Sequence, residues 1–393
     1  MNVLLIGGTG VLSSAITKQA QKKGFHVTMI NRGRRSIPEG VEIIKSDCSD
    51  YTFIESQLMG KFFDAVIDFL CFTDNEAKKS FSLYSKYTKQ YFFISSCAVY
   101  DKTHPGVKNE ESPKGLKIWS YSTNKWASEQ LIQRLAEKSN CKYTIVRPCV
   151  TYDDTRIPYG IMPPYGFHWT FCARILAGKP IIRWNQGVTK SNMMRVEDFA
   201  VGVIGLIGNP LAYNSAFNVC GDETPSFNDV LDAVEKKLGK KALVVDVTSE
   251  FYAQEIPSRR GEILGGRSID AINSNEKIKN IVPEFKQNIT LADGVALTIQ
   301  AYKNRNYQKG IDWTFDADTD RIIKKWCKAN KINPKQYNLR FVDYLNNATF
   351  RNCLSYKLEL YKDVFFVKAI CLACSITRKI LGRMKRIIKR IMK

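Results

Sequence analysis

A tyrosine and a lysine, four residues apart, have the types and spacing for acid–base chemistry. Tyr121 and Lys125 lie in a segment of helical periodicity, where this spacing places both side chains on one face of the helix. An ammonium group beside a phenol stabilises the phenolate, so Tyr121 is expected to exchange a proton at lower pH than a free tyrosine does. The pair therefore predicts a proton-transfer site.

A glycine-rich turn follows the first apolar run of the chain. It reads Gly7-Gly8-Thr9-Gly10-Val11-Leu12 and stands between a predicted strand and a predicted helix. Gly7 permits a tight turn, Gly10 lets the backbone approach a pyrophosphate, and the helix N-terminus offers N–H groups and a positive dipole to the phosphates. We therefore expect Gly7, Thr9, Gly10, Val11 and Leu12 to bind a dinucleotide; a structural turn without a ligand is the alternative.

The end of the second predicted strand bears on the type of dinucleotide. NAD-selective sites usually place Asp or Glu there to hold the ribose 2′-hydroxyl, whereas this chain has Asn31 and Arg32, followed by two more arginines. Guanidinium groups pair with phosphate in a bidentate way, which favours NADP and leaves NAD, or a solvated basic loop, as alternatives. Asp47, after the third predicted strand, is expected to contact the adenine edge.

These residues need a framework, which the apolar periodicity predicts. Short apolar runs alternate with helical segments through the first 150 residues, a pattern typical of a parallel sheet covered on both faces. The predicted strands are Asn2–Ile6, His26–Ile30, Val41–Ile44, Asp64–Leu70, Tyr91–Ile94 and Tyr143–Val146. From Thr151 to Asn192, prolines and glycines interrupt the pattern, and we expect an irregular substrate-side insertion. The predicted fold is a doubly wound parallel sheet of the Rossmann type with a smaller α/β substrate-binding portion.

In this order, the residues resemble the extended short-chain dehydrogenase/reductase family, which includes the nucleotide-sugar epimerases and dehydratases. The matching positions, over about residues 1–310, are Gly7 and Gly10, Ser95-Ser96-Cys97-Ala98-Val99-Tyr100, Tyr121 and Lys125, Val146-Arg147-Pro148, Val196-Glu197-Asp198-Phe199-Ala200, and Phe217-Asn218-Val219. The resemblance implies that Tyr121 is the acid/base, that Lys125 holds the nicotinamide ribose and that Ser96 hydrogen-bonds the reacting hydroxyl. It also implies a smaller domain that closes over a sugar nucleotide.

Comparison of single positions with the family pattern reduces the number of reactions that the chain is expected to catalyse. The 4,6-dehydratases carry an Asp-Glu pair after the catalytic serine or threonine, where this chain has Cys97 and Ala98. Neither side chain can serve as the acid or the carboxylate base of water elimination, so dehydration is disfavoured. Arg259 and Arg260 resemble the family's diphosphate-gripping region, a role that suits the planar guanidinium; a surface loop is the alternative.

Positive charge is concentrated at the end of the chain. Residues 331–393 contribute +12 of the formal net charge of +21, and residues 378–393 hold eight Lys or Arg and no acid. Large aliphatic residues share one helical stripe of this segment, and the residues just before it, 364–376, are mostly apolar. Such a basic amphipathic helix is typical of a peptide that lies on an anionic membrane surface. Nucleic acid, a protein partner or the chain's own domain are the alternative ligands.

Together these observations predict three regions: an NAD(P)-binding Rossmann domain at 1–150, an interleaved substrate-binding portion at 151–330 and a basic C-terminal extension at 331–393. The predicted function is an NAD(P)-dependent nucleotide-sugar epimerase of surface polysaccharide biosynthesis. An NADP-dependent ketoreductase of a nucleotide-linked sugar and a non-catalytic RNA-binding relative are the alternatives, with nucleic acid disfavoured as a partner. We expect a cytoplasmic protein, peripheral on the inner face of the cell membrane, and leave a homodimer open. Eleven irregularly spaced cysteines and three scattered histidines indicate reduced thiols rather than a metal site.

Overall fold

A computed structural model describes residues 1–346 and 348–364, and eleven strands lie in this part of the chain. The strands are β1 (Asn2–Ile6), β2 (His26–Asn31), β3 (Glu42–Lys45), β4 (Phe63–Asp68), β5 (Thr88–Ile94), β6 (Lys142–Pro148), β7 (Val150–Tyr152), β8 (Ile181–Trp184), β9 (Met193–Arg195), β10 (Ser215–Val219) and β11 (Val244–Val247). Seven of them form one sheet in the order β3-β2-β1-β4-β5-β6-β10, and every neighbouring pair is parallel. This sheet confirms the predicted Rossmann-type fold.

Twelve α-helices lie in the same described residues. They are α1 (Val11–Lys22), α2 (Tyr51–Leu58), α3 (Asp74–Tyr84), α4 (Ser120–Ala136), α5 (Trp169–Leu176), α6 (Val196–Leu206), α7 (Phe227–Leu238), α8 (Ser249–Glu255), α9 (Glu276–Ile281), α10 (Leu291–Asn304), α11 (Trp313–Ala329) and α12 (Phe350–Leu360). Short pairs of strands, β7 with β9 and β8 with β11, complete the regular structure.

Successive side chains of the sheet are buried on opposite faces. Val3 and Leu5 pack with apolar residues of α1 and α6, whereas Leu4 and Ile6 pack with residues of α2, α3 and α4. Because helices cover both faces, the strands are apolar throughout, and each buried aliphatic side chain contributes on the order of 1.5–3 kcal/mol. The two layers of helices hold the carboxyl ends of the strands in a fixed row.

The sheet reverses its order between β1 and β4, which are neighbours in space but not in sequence. In open α/β sheets, ligands bind outside the carboxyl ends of the strands at such a switch point. The glycine turn follows β1. The segment with Ser95 and Ser96 follows β5, which lies on the other side of β4 from β1. The topology therefore brings the predicted cofactor and catalytic residues to the same edge.

The chain divides into two compact units, each built from separate segments. The first comprises residues 1–161, 184–237 and 248–302 and contains the seven-stranded sheet; the second comprises 162–183, 238–247 and the described residues from 303 onward. The predicted division at residues 150 and 330 is one of function and stays a prediction. The amphipathic stripe predicted at 378–393 lies outside the described residues. Within 1–346 and 348–364, no helix combines the length and apolar content needed to cross a bilayer.

The segment 151–192 is more regular than its prolines and glycines predict. It contains α5, the last residues of β7 and all of β8. The side chains of α5 from Trp169 to Ile175 are all buried, so the helix shows no alternation between an apolar and a polar face. A helix that is buried all round cannot be recognised by its periodicity, so α5 was not predicted. Residues 153–168 contain neither helix nor strand, in line with the expected irregularity, and the substrate-side role of the segment stays a prediction.

Four buried charges hold the second unit together. Arg174 lies 2.5 Å from Asp316 and 2.7 Å from Asp320, while Lys179 lies 2.9 and 2.7 Å from the same two carboxylates. The hydroxyl of Tyr356 also donates to Asp320, at 2.5 Å. This ionic cluster, Arg174, Lys179, Asp316 and Asp320, is electrically balanced and joins α5 to α11.

Candidate active site

Lys125 lies at the carboxyl edge of the sheet with its amine almost completely enclosed. The side chain is 2% exposed, and Nζ donates to the carbonyl oxygens of Cys71 (2.5 Å) and Ile94 (2.8 Å). The rings of Phe72 and Phe93 lie 4.8 and 4.9 Å from Nζ. Burial lowers the pKa of Lys125 to about 8. Two of the three N–H donors are used by backbone, which leaves one for a ligand such as a ribose hydroxyl.

A buried ion pair fixes the helix that carries Lys125. The Glu129 carboxylate, one turn after Lys125 on α4, accepts from Arg147 Nε (3.0 Å) and Nη2 (2.6 Å). The Ser95 hydroxyl donates to the same carboxylate at 2.5 Å. Arg147 belongs to β6 and Ser95 follows β5, so the pair ties α4 to two neighbouring strands. Arg147, part of the predicted family pattern, therefore positions α4, the helix that carries Tyr121 and Lys125.

Ser96 directly follows this anchor and differs from its neighbours in exposure. It is half-buried, whereas Ser95 and Cys97 are buried. Ser96 Oγ accepts from the backbone N–H of Ala98 at 3.1 Å and caps the short 3-10 helix Cys97–Val99. Its O–H remains able to donate. The structure thus places a hydroxyl donor two residues after the Ile94 carbonyl that holds Lys125.

Tyr121 lies one turn before Lys125 in the first turn of α4. It is half-buried, and its ring centroid lies 5.2 Å from that of Trp119, which precedes the helix. The spacing of four residues places Tyr121 and Lys125 on the same side of α4. The predicted Tyr121/Lys125 pair is therefore on one helix face, at the edge where Ser96 also lies.

The glycine turn has the backbone that a pyrophosphate requires. Gly7 adopts φ = +107°, a region that favours glycine. The first helical hydrogen bond of α1 runs from Ser14 N to Gly10 O (2.9 Å), so the N–H groups of Val11 and Leu12 precede it. A Cβ added to Gly10 would meet only Ser13 Oγ within 4 Å, at 3.4 Å, so the space beside this backbone is open. These residues fit a dinucleotide.

Ser13, which replaces the third glycine of the common fingerprint, is integrated into the turn. Its Oγ accepts from Gly10 N at 2.7 Å, and its carbonyl accepts from Thr17 Oγ1 at 2.8 Å. The Thr17 hydroxyl also lies 3.3 Å from the Gly8 carbonyl. A serine in this position therefore links α1 to the glycine turn through hydrogen bonds.

The residues after β2 form a basic turn beside the glycine turn. Asn31 is buried, and its Oδ1 accepts from Gly33 N at 2.7 Å, so it shapes the turn. Arg35 Nη1 donates to the Thr9 carbonyl at 2.6 Å and ties this basic turn to the glycine turn. Arg32 and Arg34 are exposed. Of the three arginines, these two are available to a 2′-phosphate.

Asp47 is exposed and already engaged locally. Its Oδ1 accepts from Ser49 N (3.0 Å) and Ser49 Oγ (2.8 Å), and these bonds, with attraction from Arg32 and Arg34, lower the pKa of the carboxyl. The expected contact of Asp47 with adenine stays a prediction.

Arg259 and Arg260 lie in a segment that packs against the start of α4. A Cβ on Gly261 would come within 2.8 Å of the Ile118 carbonyl and 3.0 Å of the Trp119 ring, so only glycine permits this approach. Arg259 Nε donates to Glu262 at 2.9 Å, and Arg260 is exposed. The structure thereby brings the predicted substrate arginines beside the helix that carries Tyr121.

Several residues of the site were not found by sequence reasoning. Glu262 also faces Arg267 and Arg156; although burial opposes the effect, these cations lower the pKa of its carboxyl. Lys102 is 8% exposed and lies 5.8 Å above the Trp119 ring. Trp119 had a detectable signal, since it directly precedes the predicted helix. A lone lysine or arginine gives no sequence signal that it is buried.

A comparison of sequences relates the chain to one curated plant protein. The chloroplast stem-loop binding protein of 41 kDa b of Arabidopsis thaliana is 25% identical over 341 residues, which cover 82% of this chain and 84% of the plant protein.

Solved structures with the same fold include two sugar-nucleotide epimerases. The UDP-glucose 4-epimerase of Thermotoga maritima, solved with UDP-glucose, has a TM-score of 0.64 at 16% identity over 78% of this chain and 100% of its own. The UDP-glucuronic acid 4-epimerase of Bacillus cereus, solved with UDP-glucuronic acid and NAD, has a TM-score of 0.62 at 15% identity over 78% and 100%. The model of the NAD dependent epimerase/dehydratase family matches residues 3–220, more than half of the chain, and confirms the resemblance. The chain belongs to the NAD dependent epimerase/dehydratase family.

Proposed function

We propose that this chain is an NADP-dependent epimerase of a nucleotide sugar. The observation that carries the proposal is the anchoring of the Lys125 amine to the carbonyls of Cys71 and Ile94, at the edge where Ser96 and Tyr121 lie. A phenol, an ammonium group and a hydroxyl in this arrangement can move a proton at a sugar carbinol. A glycine turn open to a pyrophosphate supports the presence of the dinucleotide.

The residues have distinct parts in the proposed reaction. Ser96 donates to the reacting sugar oxygen and orients it, while Tyr121 takes the hydroxyl proton. When bound, a nicotinamide would supply the redox chemistry of the reaction as acceptor and donor of hydride. Lys125 would hold a ribose hydroxyl with its remaining N–H donor, and its charge would stabilise the phenolate of Tyr121. Tyr121 then returns the proton, and the sugar leaves with one centre inverted.

A panel of UDP-, GDP- and dTDP-sugars tests this function. Formation of an isomer without net change at the nicotinamide absorbance band supports the epimerase, and a net change supports the alternative ketoreductase. Tyr121→Phe is expected to lower turnover by about 10²–10⁴-fold. Tyr143→Phe is the matched control, because Tyr143 lies at the amino end of β6, on the opposite edge of the same sheet. Equal turnover of wild type and Tyr121→Phe would refute the assigned acid/base.

The preference for NADP rests on the basic turn after β2. Arg32→Gln is expected to weaken NADP binding about tenfold and to leave NAD binding unchanged, because only NADP carries the 2′-phosphate. Titration of both cofactors against both proteins measures this difference. A variant that loses NAD and NADP binding equally would contradict the proposed role of Arg32.

RNA binding is the second candidate function. It is favoured by the similarity to the Arabidopsis stem-loop binding protein, which aligns with 82% of this chain. In this case the phosphate backbone of RNA would dominate affinity, and binding would fall steeply with salt. Titration of a labelled RNA stem-loop at 50 and 200 mM salt, together with the sugar panel, separates the functions. Tight, salt-sensitive binding without turnover of any sugar nucleotide would favour this second function.

From the charge of the C-terminal sequence alone, we also propose a peripheral position on the inner face of the membrane. The protein would then be a cytoplasmic enzyme that supplies sugars to surface polysaccharide. Residues 378–393 carry eight cations and no acid, and each cation near an anionic surface contributes about 1 kcal/mol. Replacement of Arg386, Lys389, Arg390 and Lys393 by Gln in the full chain should reduce flotation with phosphatidylserine vesicles. Equal flotation of both proteins would remove this proposal.

A further inference from the structure

Lys102 is a buried cation that lacks a carboxylate partner. It is 8% exposed, and its Nζ donates to the Gly266 carbonyl at 3.0 Å. Among the residues that the structure describes, no carboxylate lies within ion-pair distance of Nζ. A buried ammonium group that is not paired with an anion destabilises a protein by several kcal/mol, so its presence calls for an explanation.

The surroundings of Lys102 add positive charge. Arg267 repels it, and burial together with this repulsion lowers the pKa of Lys102 to about 7. Glu262, an acid that faces Arg267, is shared between Arg267 at 3.5 Å and Arg259 at 2.9 Å. The local charge is therefore unbalanced in favour of the cations.

The position of Lys102 connects it with the catalytic helix. Nζ lies 5.8 Å above the ring of Trp119, and this half-buried ring lies 5.2 Å from the ring of Tyr121. The carbonyl that holds Lys102 belongs to a π-helix, Glu262–Gly266, a rare geometry that is frequent at functional sites. A Cβ on Gly266 would lie 3.0 Å from the same tryptophan ring.

We propose that Lys102 binds an oxyanion of the substrate, and that Lys102, Arg267 and Trp119 form an anion subsite beside Tyr121. The inference rests on the proposed function, since it takes the ligand to be the sugar nucleotide. Two N–H donors of Lys102 remain beyond the bond to Gly266, enough to hold one oxyanion. The oxyanion belongs either to the diphosphate or to a carboxylate on the sugar, which offer the same chemistry.

Direct binding tests this proposal without relying on turnover. UDP, UDP-glucose and UDP-glucuronic acid are titrated by calorimetry into the full chain with NADP present. Lys102→Met should weaken binding on the order of 10- to 100-fold, and Lys102→Arg should retain most of it. A loss shared by all three ligands identifies the diphosphate, and a loss confined to UDP-glucuronic acid identifies the sugar carboxylate.

Lys114→Met is the matched control. Lys114 also donates to one carbonyl, that of Ser112 at 2.9 Å, and lies 5.3 Å above a tryptophan ring, that of Trp126. It is less buried than Lys102; burial and repulsion by Arg147 lower its pKa, and Glu129 and Glu111 attract it. Because it lies over Trp126 rather than over Trp119, its loss should leave ligand affinity unchanged.

Proton uptake provides a readout that a structural lysine would not change. At pH 8 most Lys102 is neutral, and a bound oxyanion raises its pKa, so binding should take up a proton. The binding enthalpy should then depend on the ionisation enthalpy of the buffer in the wild type and less so in Lys102→Met.

The outcomes separate this inference from the proposed function. Wild-type ligand affinity in Lys102→Met would overturn the inference. It would also be overturned if Lys102→Met and Lys102→Arg lost NADP binding and thermal stability to the same extent, because this would show a structural role for Lys102. Binding without turnover in the wild type would overturn the epimerase and leave the anion subsite. A wild type that binds NADP but none of these three ligands and none of the GDP- and dTDP-sugars of the panel would overturn both.

Discussion

Two regions of the molecule bury lysines in different ways. In the second unit, Lys179 lies between Asp316 and Asp320, and the ionic cluster has as many anions as cations. At the carboxyl edge of the sheet, Lys125 donates to two carbonyl oxygens and, among the described residues, to no carboxylate. A balanced cluster satisfies its own charges and acts in stability, whereas a cation held by carbonyls alone keeps part of its charge for a ligand. The comparison separates structural from functional burial.

The largest expected effect is on catalysis. In the proposed mechanism Lys125 holds the ribose and stabilises the phenolate, so Lys125→Met should lower turnover by about 10²–10⁴-fold, measured in single-turnover assays. Stability should change little, because the substitution removes the desolvation cost of the amine together with its hydrogen bonds to the two carbonyls. A variant that retains turnover but unfolds readily would place Lys125 with the structural lysines and break the comparison.

In the ionic cluster, we expect a substitution to change stability rather than turnover. Asp320→Ala leaves Arg174 and Lys179 with one carboxylate and should lower the free energy of unfolding by about 3–5 kcal/mol, measured by urea denaturation. The double variant Lys179→Met/Asp320→Leu, which removes one charge of each sign, should be less destabilised than Asp320→Ala. If the double variant is the less stable of the two, charge balance is not the basis of this cluster.

The pH dependence of stability offers a third test. The pKa of Lys125 is about 8 in the folded chain against a usual value of 10.5, so the unfolded state binds more protons between these values. The free energy of unfolding should therefore rise with pH across this window, and the full cost of the buried charge is present below it. Wild type should gain on the order of 1–3 kcal/mol relative to Lys125→Met from pH 8 to 10.5. A flat or falling difference would contradict this assignment.

The smallest effect is expected for a pair that is not buried. Arg183 Nε and Nη2 donate to Asp246 at 2.6 and 2.7 Å, and both side chains are partly exposed. Arg183→Ala should lower the free energy of unfolding by less than about 1 kcal/mol, and less so in high salt. An effect as large as that of Asp320→Ala would show that burial does not distinguish the two pairs.

The sheet, and the placement of Tyr121 and Lys125 on one helix face, were predictable because local patterns encode them. Strands buried on both faces are short apolar runs, and Tyr121 and Lys125 share a helix face through their spacing alone. The partner of Arg147 was not predictable, since Glu129 is 18 residues away and on a different element. Asp316 and Asp320, four apart on α11, gave a signal that could have been found: two acids on a buried helix face need cations. The burial of Lys102 depends on distant segments, and no local pattern reveals it.

The interleaving of the second unit has a consequence for synthesis. Arg174 and Lys179 leave the ribosome long before the carboxylates that balance them, because Asp316 and Asp320 lie 142 and 146 residues after Arg174. Until those aspartates have been translated, the two cations cannot be desolvated without a large penalty, so their segment stays solvated on the nascent chain. The first unit is nearly complete by residue 302. The second unit is therefore expected to fold last. A chain that ends before residue 316 would lack both carboxylates, and its second unit should stay unfolded and open to chaperones and proteases.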